Sequence, residues 1–295
     1  MSDHHHYTKD YYLPGPSPWP IVASIAMFCI MFGAANWLHE VSYGPYIFGL
    51  GFLILFTMLF GWFGVVIKEN QTGLYDNKQL DRSFRWGMCW FIFSEVMFFG
   101  VFFGALYYAR DLSIPWLGGI GHGDMTHLLL WPNFDAHWPV LTNPDPVKYI
   151  APHSVMETWG LPALNTLILL TSGLTITVAH WGILKGRHLQ ALIGQGITVL
   201  LGVCFLITQA HEYTIAYLEK GLTLGSGIYG TTFFMLTGFH ALHVTLGTIM
   251  LIVMFFRIYK RHFSRHNHFA FEAVSWYWHF VDVVWLLLFV FVYWM

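Results

Sequence analysis

Charge is what this sequence has least of. Lys and Arg number 14 and Asp and Glu 16 in 295 residues, so 10% of the chain is charged, against about 25% in an ordinary soluble domain. The net charge of -2 supplies no basic surface for nucleic acid. Cysteine is scarcer still. Cys29, Cys89 and Cys204 fall in separate apolar stretches with no close pair, so neither a disulfide framework nor a thiolate metal site is indicated. They are expected to be small core residues. A Gly-rich phosphate loop, a hydrolase nucleophile elbow, an HExxH metal motif and a paired acid–base constellation are all missing. A cleavable signal is not expected either, because a polar, proline-rich run precedes the first apolar segment. What the chain does have is 56% hydrophobic and 19% aromatic residues. In lipid the backbone must satisfy its own polar groups, and apolar runs of about 20 residues cross as helices. The expected fold is all-α: a polytopic membrane protein forming a single membrane domain over 1–295.

Residues 1–18 read as a polar tail, in which His4-His5-His6 is a tag remnant, a metal binder or a solvated native segment. Pro14-Gly-Pro-Ser-Pro-Trp19-Pro20 delivers the chain to the membrane, with Trp19 suited to the interface and Pro20 to a first helical turn. Span 1 is expected over 21–38 and, after a tight turn at 39–45, span 2 over 46–67. Helices 1 and 2 thus occupy 19–67. The loop 68–82 carries six charges, and span 3 follows over 83–108. A long connection, 109–160, is rich in Pro, Gly, His, Asp and Trp and reads as a solvent-exposed cap. The spacing of His122, His127, His137 and His153 within it is too irregular to suggest a metal. Spans 4, 5, 6 and 7 are expected over 161–181, 189–210, 229–256 and 271–294, with helices 3–7 filling 83–295.

Seven spans sort the basic residues. Lys9, Lys68, Lys78, Arg82, Arg85, Lys185, Arg187, Arg257, Lys260, Arg261 and Arg265 fall on one side, and Arg110, Lys148 and Lys220 on the other. By the positive-inside rule the N-terminus lies inside and the C-terminus outside.

Glu95 stands near the centre of span 3, about a dozen residues from either end. A charge at that depth costs at least about 2.5–3.5 kcal/mol. Glu95 is therefore expected to be neutral or to face the bundle interior with a polar partner. It could handle protons, meet lipid or contact another subunit; alternatively it makes an inter-helix hydrogen bond that only fixes packing. The other polar residues at membrane depth are Asn165, Gln195, His240, His243, His279 and Asp282. His240 and His243, three apart, share a helix face, and imidazole is a common metal ligand. A bis-histidine haem would need a facing histidine, for which His279 is the candidate, yet His279 lies three residues from Asp282 and can pair locally or bond a neighbouring protein. Hydrogen-bonded interior histidines are the expectation, with no metal site on the chain. Trp276-Tyr277-Trp278 is placed where an interfacial aromatic belt would lie. Ser172, Gly173, Gly230, Gly238 and Gly247 permit close helix approach.

With these residues laid out, the chain resembles subunit III of the haem–copper cytochrome c oxidases. The resemblance begins at Pro16-Ser-Pro-Trp-Pro20 and runs through Ser94-Glu-Val-Met-Phe-Phe99, Leu164-Asn-Thr166, Ser172-Gly173, Ala179-His180 and Gln209-Ala-His-Glu-Tyr213. It is densest in Tyr229-Gly-Thr-Thr-Phe-Phe-Met-Leu-Thr-Gly-Phe-His-Ala-Leu-His243 and Phe271-Glu-Ala-Val-Ser-Trp-Tyr-Trp-His-Phe-Val-Asp-Val-Val-Trp285. The resemblance implies a non-redox subunit of a proton-pumping, aa3-type oxidase in aerobic respiration. Haem and copper would sit in partner subunits I and II, cytochrome c would be the substrate of the complex, and this chain would carry no cofactor but bound phospholipid. It also implies that helices 1–2 are separated from helices 3–7 by a lipid-filled cleft, and that the chain stabilises subunit I, supports proton uptake and guides oxygen. Glu95 matches the family's intramembrane carboxyl and Arg257 a basic residue associated with lipid headgroups; Lys68 and Arg85 are further candidates for that role. The family commonly carries a second histidine after Ala179-His180, where Trp181 stands here. The long 109–160 connection suggests a bacterial enzyme, in the inner membrane with a cytoplasmic N-terminus and a periplasmic C-terminus. Spans 1 and 2 favour a cytochrome c oxidase over a quinol oxidase, whose subunit III usually lacks them. An independent proton-coupled transporter using Glu95 and Asp282 is the rival, but transporters usually show internal repeats and none is visible.

Overall fold

A computed structural model describes residues 15–72 and 78–295. The tail with His4-His5-His6 and Lys9, and the centre of the 68–82 loop, lie outside the described residues. No strand occurs among the described residues, and seven helices are long and apolar enough to cross a membrane. The chain divides into two compact units, Met1–Phe84 and Arg85–Met295.

The first unit is a helical hairpin. Helix α1 (Trp19–Leu38) and helix α2 (Gly44–Gln71) both carry proline in their first turn, Pro20 and Pro45, where the missing N–H costs nothing. Glu40 takes the left-handed φ of 59° in the turn between them, and Gly44 N–H closes it by donating to the Val41 carbonyl at 2.9 Å. The two helices approach through small residues: a Cβ on Gly51 would lie 2.7 Å from Ile30 Cγ1, and one on Gly33 would strike the Phe48 backbone. Such contacts let van der Waals packing hold helices in lipid, where the hydrophobic effect does not draw them together.

The unit boundary falls inside α3 (Lys78–Tyr107). The helical path does not stop at Tyr108. It continues through a π-helical turn, Tyr108–Ser113, into the short α4 (Ile114–Leu117), so that 79–117 is one candidate span. A 3-10 turn, Gly121–Gly123, and α5 (Asp124–Leu130) open the rest of the connection. Four long helices follow: α6 (Leu161–Leu184), α7 (His188–Leu218), α8 (Ile228–Tyr259) and α9 (Phe269–Leu288), the last extended by a π-helical turn, Phe289–Trp294. Helix α7 packs between α6 and α8, and α9 touches both α6 and α8. Its span is 61% buried, the highest share of the seven.

Three further expectations need correction. Span 5 does not end at residue 210; α7 runs to Leu218 and carries Glu212 into the interior. Tyr277 and Trp278 are not belt residues. Trp278 is 0% exposed, its indole N–H donating to Ser172 Oγ at 2.9 Å. The ring fits a slot bordered by Gly202 and Gly247, where an added Cβ would come within 3.1 and 2.9 Å of it. Finally, the cysteines are not core residues: Cys89 is exposed and Cys29 and Cys204 are partly so.

Candidate functional site

Glu95 finds its polar partner on α8. Its Oε2 lies 2.9 Å from His243 Nε2, both side chains largely covered at 20% and 11% exposure. The other imidazole nitrogen, Nδ1, is 2.7 Å from the Phe239 carbonyl oxygen one turn back. A carbonyl can only accept, so Nδ1 carries a proton and donates it. In the neutral ring that leaves Nε2 as an acceptor, and the hydrogen of the 2.9 Å contact must come from the Glu95 carboxyl. The one other arrangement is imidazolium against carboxylate. Both are neutral as a pair, which meets the membrane's penalty on an isolated charge. Phe98 and Phe99 flank the imidazole with ring centroids 5.9 and 4.9 Å away, and the Tyr277 hydroxyl reaches the His243 carbonyl at 3.4 Å. These rings keep the pair in an apolar setting, where its hydrogen bond is stronger than in water.

His240 does not join this pair. Its ring is buried, with Nε2 3.2 Å from the Val281 carbonyl and its face 5.1 Å from Trp285. The shared helix face inferred for His240 and His243 is present, but the two rings serve different neighbours, α9 for one and α3 for the other. His279 and Asp282 do lie together. His279 Nδ1 is 3.8 Å from Asp282 Oδ2, with side chains 44% and 8% exposed. The aspartate fits against the bare backbone of Gly173, where a Cβ would come within 2.7 Å of Oδ2. That is close helix approach of the kind expected for Gly173, used to admit a carboxyl.

Among the basic candidates, Arg85 is committed within the chain. Its guanidinium forms a bidentate pair with Glu272 at 2.7 and 2.8 Å and lies over the Phe269 and Trp276 rings at 5.2 and 6.0 Å. Arg257 is 6% exposed, its guanidinium carbon 4.5 Å from the Phe263 centroid. Lys68 lies exposed in the last turn of α2, in the first compact unit. Beyond α8, Lys260, Arg261 and Arg265 are exposed. His262 beside them is held below the usual imidazole pKa by burial and by the charges of Arg257 and Lys260.

One polar cluster went unread as a site in the sequence. Glu212 is buried and accepts a hydrogen bond from the Tyr293 hydroxyl at 2.7 Å. On the same helix face, Gln209 Oε1 accepts from Asn165 Nδ2 at 3.4 Å, and Asn165 accepts from the Thr208 hydroxyl. The signal was present: Gln209, Glu212 and Ala216 keep helical spacing beyond the residue where the apolar run breaks.

The pattern of these helices and polar pairs can be set beside known proteins. A family model described as cytochrome c oxidase subunit III matches residues 9–120 and 137–295. Proteins named cytochrome c oxidase subunit 3 are similar over nearly the whole length. That of Prototheca wickerhamii is 40% identical over 96% of each chain. The Equus asinus protein is 38% identical over 98% of each, and the Lemur catta protein 37% identical over 98% of this chain and 93% of its own. Matches of this extent, falling on a helical chain with seven candidate membrane spans among the described residues, show that the chain belongs to the cytochrome c oxidase subunit III family.

Proposed function

We propose that this chain is the non-redox subunit of a proton-pumping, aa3-type cytochrome c oxidase, seated beside subunits I and II that carry the haems and coppers, with cytochrome c as electron donor to the complex. The observation that carries the reading is the Glu95–His243 pair. It is a proton-bearing group held at mid-span by aromatic packing, in a chain whose family assembles with an oxidase. Its role is to cover and stabilise membrane-buried surface of subunit I and to support proton uptake there. The asymmetry of basic residues supports an orientation with the N-terminus in the cytoplasm and the C-terminus in the periplasm, and the long 109–160 connection supports a bacterial inner membrane. The complex purified without this chain is expected to keep its metal spectra and its first turnovers, and to lose activity during sustained turnover. Absence of activity from the first turnover, with spectra intact, would overturn the supporting role.

Phospholipid binding belongs to the same reading. In support of this, Arg257 closes α8 beside exposed Lys260, Arg261 and Arg265, a cluster whose positive potential attracts lipid phosphate, and a guanidinium can donate two hydrogen bonds to one. Arg257→Ala is expected to lower the phosphorus retained per complex after detergent purification. Equal phosphorus in variant and parent would remove Arg257 from this role.

A further inference from the structure

His180 ends up near the C-terminus of α6, His268 caps the start of α9, and Glu272 lies in the first turn of α9. The fold brings one donor atom from each of the three within 4.8 Å of the others. We propose that His180, His268 and Glu272 form a binding site for a divalent transition metal of the zinc class, joining α6 to α9 at the basic end of the second unit.

The ligand chemistry is already arranged. His180 Nε2 is buried and has no hydrogen-bond partner, an arrangement that costs free energy unless something takes the lone pair or the proton. His268 Nδ1 lies 3.2 Å from the Ser264 carbonyl. It donates there, and its Nε2 is left as the basic nitrogen. A backbone carbonyl fixing the tautomer from the far side of the ring is the usual outer sphere of a metal-bound histidine. The two imidazole centroids are 5.6 Å apart, and Phe271 packs 5.7 Å from His180, so one wall of the site is apolar. Two nitrogens and one carboxylate oxygen are a zinc donor set, and three protein ligands leave a fourth position for water or a neighbouring group. Softer sulfur ligands and an all-oxygen shell are both missing from the cluster, which disfavours copper(I) and the alkaline earths.

Arg85 is the natural competitor. Its guanidinium occupies both Glu272 oxygens, at 2.7 and 2.8 Å. A metal must take one of them, leaving Arg85 a single hydrogen bond to the other. The site thus exchanges one cation for another at Glu272, and bound metal would fix the start of α9 against the end of α6. The three ligands come from separate segments of the chain, so no local spacing announces them.

The native assembly containing this chain, isolated through a tag on it and stripped with chelator, should be equilibrated with Zn2+ alone. Bound zinc is counted per chain, and the metal edge is examined by X-ray absorption. The parent is expected to hold one zinc more than His180→Ala or His268→Ala, with two imidazole nitrogens and a carboxylate oxygen at roughly 2.0–2.2 Å. Arg85→Gln, which removes the competitor and keeps all three ligands, is expected to bind zinc more tightly than the parent; damage to the fold cannot produce a gain. Equal zinc in the parent and both histidine variants, or an oxygen-only shell, overturns the site. Because the count is made per chain by tag, it stands whether or not the assembly proves to be the oxidase proposed above.

Discussion

Trp278→Ala is expected to destabilise the second unit by about 3 kcal/mol. Truncating a buried tryptophan in a soluble protein costs about 3–5 kcal/mol, from lost transfer energy and the cavity left behind. Within lipid the transfer part shrinks, because acyl chains are as apolar as the core, and the cavity with its lost dispersion contacts remains. Trp278 is fully buried on α9. It fills the slot between Gly202 of α7 and Gly247 of α8 and donates to Ser172 of α6, so one side chain touches three partner helices. Gly202 and Gly247 have no side chain that could move into the vacated space. The hydroxyl of Ser172 keeps its own donor bond to the Leu169 carbonyl at 2.8 Å, so the loss falls on packing more than on polar satisfaction. The converse change, Gly247→Ala, forces a methyl to 2.9 Å from the indole and is expected to cost about 1–3 kcal/mol by overpacking. Reversible unfolding in mixed micelles measures both. A Trp278→Ala loss below about 1 kcal/mol would mean that the slot contributes little to holding the bundle together.

The large features of this chain were legible because lipid simplifies the problem. Runs of about 20 apolar residues must be helices, and Pro20 marks a first turn. Glu95 was legible as a residue needing a partner, from its depth alone. Its partner was not. His243 is separated from it by 148 positions, and hydropathy says nothing about which helices adjoin. Glu212 was misread as a loop residue because polar His211, Glu212 and Tyr213 lowered the local hydropathy. The helix continues there with Glu212 Oε1 accepting from the Tyr293 hydroxyl, a partner supplied from the far end of the chain. Trp278 failed for the opposite reason. A Trp-Tyr-Trp cluster suits an interface, and only the tertiary coincidence of Ser172, Gly202 and Gly247 makes Trp278 core. Local pattern sets element type; neighbours from other helices decide what each polar or aromatic side chain does.

Glu95 is expected to react with hydrophobic carbodiimides at neutral pH, and Glu95→Gln to abolish that reaction while preserving assembly. Such reagents need a carboxyl proton and an apolar route, and the tautomer of His243 supplies the first condition. With Nδ1 donating to Phe239, a neutral imidazole turns its lone pair toward Glu95, and the carboxyl holds the shared proton. The ionic alternative separates charge between Phe98 and Phe99, where desolvation of two ions outweighs much of their attraction. Span 3 offers no relief: Arg85 is ten residues away, about 15 Å along the helix, and already bound to Glu272. Glutamine can place an amide N–H where the carboxyl O–H was, so the bond to Nε2 survives and stability should change little. Glu95→Leu leaves Nε2 buried without a donor and is expected to cost about 1–3 kcal/mol. The two substitutions separate packing from proton handling. If the pair only fixes α3 against α8, Glu95→Gln will take up protons and turn over at the parent rate, whereas Glu95→Leu will not assemble normally. If the pair passes protons, uptake should slow in Glu95→Gln at undiminished stability, because an amide cannot release one. An infrared difference spectrum at neutral pH should contain a protonated-carboxyl band that disappears in Glu95→Gln. No such band in the parent would refute the neutral carboxyl and favour an imidazolium–carboxylate pair in its place.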